Sequence, residues 1–244
     1  MRVQKHGFIY QLTFLPNFFP VNCYLLEEDS ELTLIDAALS YTYKGILKTA
    51  QAIGKPITRI VLTHAHEDHV GALDRLKHAL PNAVVMLSKR DTRLMNGDRT
   101  LDSEELQRPV RGGVPKWLKT RPDQQLEEGD RIGSLTALYT PGHTPGSMSF
   151  LDTRDHSLIA GDALQTRGGI AVAGVVKPFF PFPAWGTWSL QTAVESTRKL
   201  IEVNPSLLAV GHGHMLNNPA EAMQHAIKDA EKFLERRGPY AART

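Results

Sequence analysis

Three histidines and two carboxylates fall within six consecutive positions in the segment Val61-Leu62-Thr63-His64-Ala65-His66-Glu67-Asp68-His69-Val70-Gly71. Groups so costly to bury unpaired restrict the chain to folds that gather them round a cation or leave them in water. Residues 59–63 read as a strand. Along an extended chain, positions i and i+2 point to one side, so His64 and His66 can converge on one ion. As the chain turns towards a helix expected at 72–80, Asp68 and His69 face a second ion and Glu67 points away. Imidazole nitrogen with carboxylate oxygen suits zinc, iron or manganese. A solvated loop with Asp68 as a helix cap would account for a lone histidine, not for this cluster.

Further metal-type residues stand just past three other apolar runs. His143 sits in Tyr139-Thr140-Pro141-Gly142-His143-Thr144-Pro145-Gly146, Asp162 in Ala160-Gly161-Asp162-Ala163, and His212 in Val210-Gly211-His212-Gly213-His214. Glycines beside each let backbone approach closely. A Gly-Asp pair after a strand is by itself usually a turn. Added to His64, His66, Asp68 and His69, these residues make seven ligands, enough for two ions sharing one carboxylate.

The rest of the chain reads as α/β. Strands are expected at Val21–Glu27, 32–36 and 84–87, with a helix at Tyr43–Ile53 stopped by Gly54 and Pro56. The second half repeats the rhythm, with strands at Arg131–Ile132, Leu135–Tyr139, 147–151, 157–160 and 207–210, and helices at Leu190–Glu202 and 219–236. A duplicated strand-strand-helix-strand plan follows, with no repeat visible in the sequence itself. Residues 96–125 are polar and read as a long connection. Residues 168–188 are apolar and aromatic, and Pro178, Pro181 and Pro183 argue against a regular helix there.

At this point the sequence resembles the metallo-β-lactamase fold superfamily, over nearly its whole length. The resemblance rests on His64-x-His66-x-Asp68-His69 followed by His143, Asp162 and His212 in that family's order and approximate spacing, with Leu34-Ile35-Asp36 matching an early family strand. It implies an αββα four-layer sandwich, a single domain over 1–244, and a dinuclear centre at one edge of the paired sheets. By position, His64, His66 and His143 would bind the first ion, Asp68, His69 and His212 the second, and Asp162 would bridge. His214 is the rival to His212, and the Gly-His-Gly context favours His212. Asp36 would accept a hydrogen bond from a ligand imidazole and so orient it. Two divalent ions are expected, zinc foremost, with manganese or iron as alternatives. Asp68 and Asp162 are the candidate catalytic carboxylates.

A bound ion lowers the pKa of water from about 15.7 to about 7. No serine or cysteine nucleophile is then needed, and Cys23, the chain's one cysteine, reads as a small buried hydrophobe in a strand. The expected reaction is hydrolysis of an ester, thioester or lactone in a small, partly apolar substrate. Phe179, Phe180, Phe182, Trp185 and Trp188 would line the pocket for its acyl chain. The chain is similar to quorum-quenching lactonases in length and ligand order, but their tyrosine three positions after the bridging aspartate is Gln165 here. A glyoxalase II-like thioesterase would carry a longer basic C-terminal extension. A phosphodiesterase or nuclease, and a persulfide dioxygenase using one iron on His64, His143 and Asp162, are the alternatives. The net charge of +2 gives no basic stripe for nucleic acid, so no nucleic-acid partner is expected. No apolar run reaches about 18 residues, so no membrane span is expected. With no secretory leader pattern at the N-terminus, a cytoplasmic protein is expected, and the apolar stretch at 168–188 leaves a homodimer open.

Overall fold

The computed structural model describes residues 1–237. Its first sheet runs in chain order through β1 (Arg2–His6), β2 (Ile9–Phe14), β3 (Val21–Glu27), β4 (Leu32–Ile35), β5 (Ile57–Val61), β6 (Val84–Ser88) and β7 (Gln124–Leu126). The first four strands are antiparallel, and β4 to β7 pair in parallel. Parallel neighbours require crossovers. Helix α1 (Tyr43–Ile53) supplies one, ending at Gly54, whose φ of 83° lets its N–H reach back to the carbonyls of Ala50 and Gln51. A single turn, α2 (Glu67–Val70), then α3 (Leu73–Ala79) bridge β5 to β6, and α4 (Lys89–Met95) follows β6.

The second sheet comprises β8 (Arg131–Ile132), β9 (Leu135–Tyr139), β10 (Met148–Asp152) and β11 (Ser157–Ile159). A hairpin of β12 (Leu164–Gln165) and β13 (Ala171–Val172) stands apart, and β14 (Leu207–Ala209) and β15 (Leu216–Asn217) complete the sheet. Here too an antiparallel run is followed by a crossover, through α5 (Phe182–Gly186) and α6 (Leu190–Glu202), into a parallel strand: β11 pairs β14. Helix α7 (Ala220–Arg237) closes the described chain.

Burial patterns define four layers. Ile9, Tyr24, Ile35 and Val61 of the first sheet pack against Ile132, Phe150, Ile159 and Ala209 of the second. Leu34 and Ile60 face outward onto Ile46 of α1, Leu76 of α3 and Leu94 of α4. On the far side, Leu158 and Leu208 meet Val194 of α6 and Met223 of α7. This is the αββα sandwich. Cover on both faces of the sheet buries β3 almost throughout, Asn22 included. Cys23 is buried within it.

The structure corrects the expectations in several places. The strand expected at 59–63 lies two residues earlier, and the chain leaves β4 at Asp36, whose φ of 61° is left-handed. Strands β1 and β2 and helix α4 went unread. Residues 168–188 do contain a helix: α5 starts with Pro183 in its first turn, where a missing N–H costs nothing. No described helix is long and apolar enough to cross a membrane.

Candidate metal centre

The seven candidate ligands meet at one edge of the sandwich, at strand ends from both sheets. His64, His66, Asp68 and His69 follow β5; His143 follows β9, Asp162 follows β11 and His212 follows β14. Their ligand atoms fall into three overlapping groups, His64/His66/His143, His64/His69/Asp162 and Asp68/His69/His212, each within 4.8 Å. Asp162 stands between the groups: its Oδ1 is 3.4 Å from His69 Nε2, and its Oδ2 is 3.4 Å from His143 Nε2 and 3.2 Å from His212 Nε2. Asp68 Oδ2 lies 3.3 Å from His212 Nε2. His214 is exposed, with its Nδ1 against Arg2, and takes no part.

Each imidazole is tethered by one ring nitrogen, and the donor can be assigned from the network. His69 Nδ1 donates to Asp36 Oδ2 at 2.7 Å, and His212 Nδ1 to the Pro20 carbonyl at 2.7 Å. Thr63 Oγ1 gives its proton to Asp36, so it accepts from His64 Nδ1 at 3.0 Å. Thr187 Oγ1 gives its proton to the Pro183 carbonyl, so it accepts from His143 Nδ1 at 3.0 Å. His66 is held through Nε2, on the Arg111 carbonyl at 3.0 Å. The opposite nitrogen of each ring then turns inward: Nδ1 of His66 and Nε2 of the others. Outer partners of this kind set the tautomer and direction of metal-binding histidines.

The inward atoms fit divalent ions. His64 Nε2, His69 Nε2 and Asp162 Oδ1 are buried and make no hydrogen bond among the described residues, a costly condition unless a cation satisfies them. His66 Nδ1 and His143 Nε2 stand 2.9 Å apart, two lone pairs that need a proton or a cation beside them. Backbone closes in to match. A Cβ on Gly211 would lie 2.0 Å from Asp162 Oδ1, and one on Gly112 2.0 Å from His66 Nε2, so only glycine fits either place.

Electrostatics divides the cluster in two. Burial pushes His143 down to about 3 against the pull of Asp162, and it lowers His64 and His66 as well. Burial also opposes charge on His212 and His69. There Asp162 leads the carboxylates that outweigh it, raising His212 to about 10 and His69 well above its ordinary value. Burial alone would raise Asp68 and Asp162, but His69 and His212 hold both well below the usual carboxylate range. The three-histidine group is thus neutral and ready to bind. The Asp68/His69/His212 group is zwitterionic until a cation displaces its protons.

A cavity of about 450 Å³ opens over the cluster, lined by His66, Asp68, His143, Asp162 and His212 together with Phe19, Leu39, Glu67, Gly112, Phe182 and Trp185. Of the five aromatics expected in its wall, Phe182 and Trp185 are there. Phe180 is buried behind it, its ring 5.3 Å from that of His212. Phe179 points into solvent, 91% exposed. Trp188 belongs to the core beside the first sheet, where its indole N–H donates to the Arg108 carbonyl at 3.0 Å, and its backbone N–H holds the His143 carbonyl at 2.9 Å. The reason is local: Phe182 and Trp185, three positions apart in α5, share the face of that helix turned to the cavity, whereas Phe179, Phe180 and Trp188 lie outside α5 and are directed by the irregular chain on either side. Gln165 is buried against the Phe180 carbonyl and is not in the wall.

Several contributors were not foreseen, and Glu67, expected to point away, lines the cavity. Phe19 packs edge-on to Phe182 with centroids 4.9 Å apart, and Gly112 and Gly113 arrive from the long connection. The loop bearing His212 is hung from the first sheet: Asn22 Nδ2 donates to the carbonyls of Val210 and Gly213, Gln11 Nε2 to Gly213, and the Tyr24 hydroxyl to Val210. The paired glycines at 112 and 113 were a visible signal. Polar residues inside apolar strands, Gln11 and Asn22, were another.

Comparison with known proteins follows the geometry. The family model described as the metallo-beta-lactamase superfamily matches residues 16–212. The chain is 55% identical over 232 residues to the Bacillus subtilis protein YobT, covering 95% of this chain and all of that one. It is 29% identical over 219 residues to the B. subtilis protein named probable metallo-hydrolase YflN, covering 79% and 80%. Among solved structures, the di-iron-bound form of TTHA1623 superposes with a TM-score of 0.65 at 30% identity, covering 87% of this chain and 96% of that one. A metallo-beta-lactamase from Pontibacter korlensis gives 0.72 at 14% identity, covering 94% and 98%, a likeness of fold alone.

Proposed function

This chain belongs to the metallo-beta-lactamase superfamily, and from that premise we propose that it is a metal-dependent hydrolase of a small, partly apolar ester, thioester or lactone. His64, His66 and His143 hold one divalent ion, Asp68, His69 and His212 the other, and Asp162 serves both. The observation that carries this reading is the tethering of all five imidazoles by one outer ring nitrogen, which turns the other nitrogen of each inward to a common centre. The di-iron form of the TTHA1623 relative supports a two-ion site and makes iron a candidate beside zinc and manganese.

Ions held there would supply a water that ionises near neutral pH and would polarise the substrate's carbonyl oxygen. The chain's own residues do the rest. Phe182, Trp185 and Phe19 receive the apolar part of the substrate. Asp68, one-quarter exposed on the cavity side, would accept a hydrogen bond from the attacking water on its free carboxylate oxygen and so orient it towards the substrate. Gln165 offers no phenol to assist ring opening, which favours acyclic esters and thioesters over lactones.

The test is ion content together with a substrate panel. Freshly purified protein should carry two zinc, manganese or iron ions per chain and should cleave p-nitrophenyl esters or acyl thioesters until treated with chelator. One iron with oxygen uptake on a persulfide, or cleavage confined to bis(p-nitrophenyl) phosphate, would overturn it.

A further inference from the structure

Asp91 is fully buried in α4 and belongs to none of the ligand groups. Its carboxylate is nonetheless placed between the two loops that carry the three-histidine group. Oδ2 accepts from the Ala65 N–H, between His64 and His66, at 2.9 Å and from the Thr144 hydroxyl, next to His143, also at 2.9 Å. Oδ1 accepts from the Gly146 N–H at 2.9 Å. Because the Thr144 proton is spent on Asp91, the Ser147 hydroxyl donates to Thr144 Oγ1 at 2.7 Å, which closes the His143 loop on itself. Ser88 completes the frame: its Oγ accepts from the Asp91 N–H and donates to the Gly146 carbonyl at 2.6 Å. A Cβ at position 146 would lie 2.5 Å from Asp91 Oδ1, so the fit needs glycine there.

The neighbouring cation is engaged elsewhere. Arg90 gives its guanidinium to Glu105 at 2.6 and 2.9 Å. Burial raises Asp91 to about 6, yet three donors and no acceptor face its two oxygens, the surroundings of an ionised carboxylate. A lone buried carboxylate is expensive, more than its place in the first turn of α4 offsets.

We propose that Asp91 is a positioning residue that clamps the His64–His66 turn to the His143 loop and thereby sets the affinity of the three-histidine site for its ion. The clamp rests on the two-ion reading given above. It acts through the backbone and touches neither substrate nor ion. The Asp68/His69/His212 group, held by Asp36 and Pro20, lies outside its reach.

The variant Asp91→Asn keeps the shape but has one acceptor oxygen, so either Ala65 or Gly146 loses its partner. Two readouts, neither of them activity, decide the matter. Titration of Zn²⁺ against a chromophoric chelator should show the three-histidine ion weakened about tenfold or more, in line with outer-partner losses, and the other ion within about twofold. Amide hydrogen exchange of the ion-free variant should speed up at Ala65 or Gly146 and remain unchanged at Thr63, which bonds to Asp36. If Asp91→Asn does not fold, Thr144→Val removes the hydroxyl bonds to Asp91 and Ser147 but leaves both backbone donors on the carboxylate, and should lower the same affinity by a smaller factor. Equal weakening of both ions, or unchanged exchange at Ala65 and Gly146, overturns the clamp. Altered exchange in a protein whose wild type takes up no ion overturns the two-ion reading and the affinity role with it, and leaves only the tie between the two loops.

Discussion

Gly211 lies against Asp162 with no space between them: a Cβ on the glycine would stand 2.0 Å from the carboxylate Oδ1 and 2.7 Å from His69 Cε1. Backbone therefore forms one wall of the cluster. Gly211→Ala should displace Asp162 and lower the affinity for both ions about tenfold or more, a loss typical of disturbed metal surroundings. Chelator competition measures it, and full two-ion binding by the variant would remove Asp162 from its bridging place.

Asp36 permits a cleaner substitution. Its φ of 61° suits asparagine as well as aspartate, so Asp36→Asn should keep the turn while weakening the bond to His69 Nδ1. The ion on Asp68, His69 and His212 should bind about 10- to 100-fold more weakly, with a smaller loss at the three-histidine ion, which Asp36 reaches only through Thr63 and His64. Calorimetric titration separates the two, and an unchanged second ion would show that His69 needs no orienting partner.

The split in histidine basicity gives a pH signature. In ion-free protein His212 is raised to about 10 from its ordinary 6.5, so its stabilising contribution is complete below 6.5 and is lost as pH rises through about 10. His143, lowered to about 3, has the opposite sign: it costs stability as pH falls from 6.5 towards 3. Near pH 7.5, ion binding to Asp68/His69/His212 should release protons, while binding to His64/His66/His143 should release few. Calorimetry in two buffers of different ionisation enthalpy counts them. Proton release confined to the first ion would contradict the division.

The aromatic residues should separate by position. Phe182→Ala and Trp185→Ala should impair turnover of long-chain esters more than of acetyl esters, because both side chains line the cavity. Phe180→Ala empties a buried site and should cost about 3–5 kcal/mol of stability, seen as a lower Tm. Phe179→Ala should change neither. Equal losses on both ester classes in Phe182→Ala would move that residue out of the substrate wall.

The candidate cluster was legible because the chemistry of ion binding needs particular residue types, and two of its members, Asp162 and His212, follow apolar runs that stop at glycine. What remained hidden depends on direction. Phe179, Phe180 and Phe182 are nearly adjacent, yet one faces solvent, one is buried and one lines the cavity. Asp91 looked like an ordinary helix residue, since its three partners lie 26 to 55 positions away in the chain. Strand β1, exposed over most of its length, has no apolar pattern to reveal it; only pairing with β2 defines it.

The stretch that bears Phe182 and Trp185 also carries Thr187, which holds His143 by its ring, and Trp188, which holds it by its backbone. The cavity wall and the support of a candidate ion ligand therefore share one short piece of chain. A relative that exchanged this loop wholesale to accept a new substrate would surrender a tether on an ion ligand in the same step. Diversification here has to proceed by single replacements at 182 and 185, with 187 and 188 carried along unaltered.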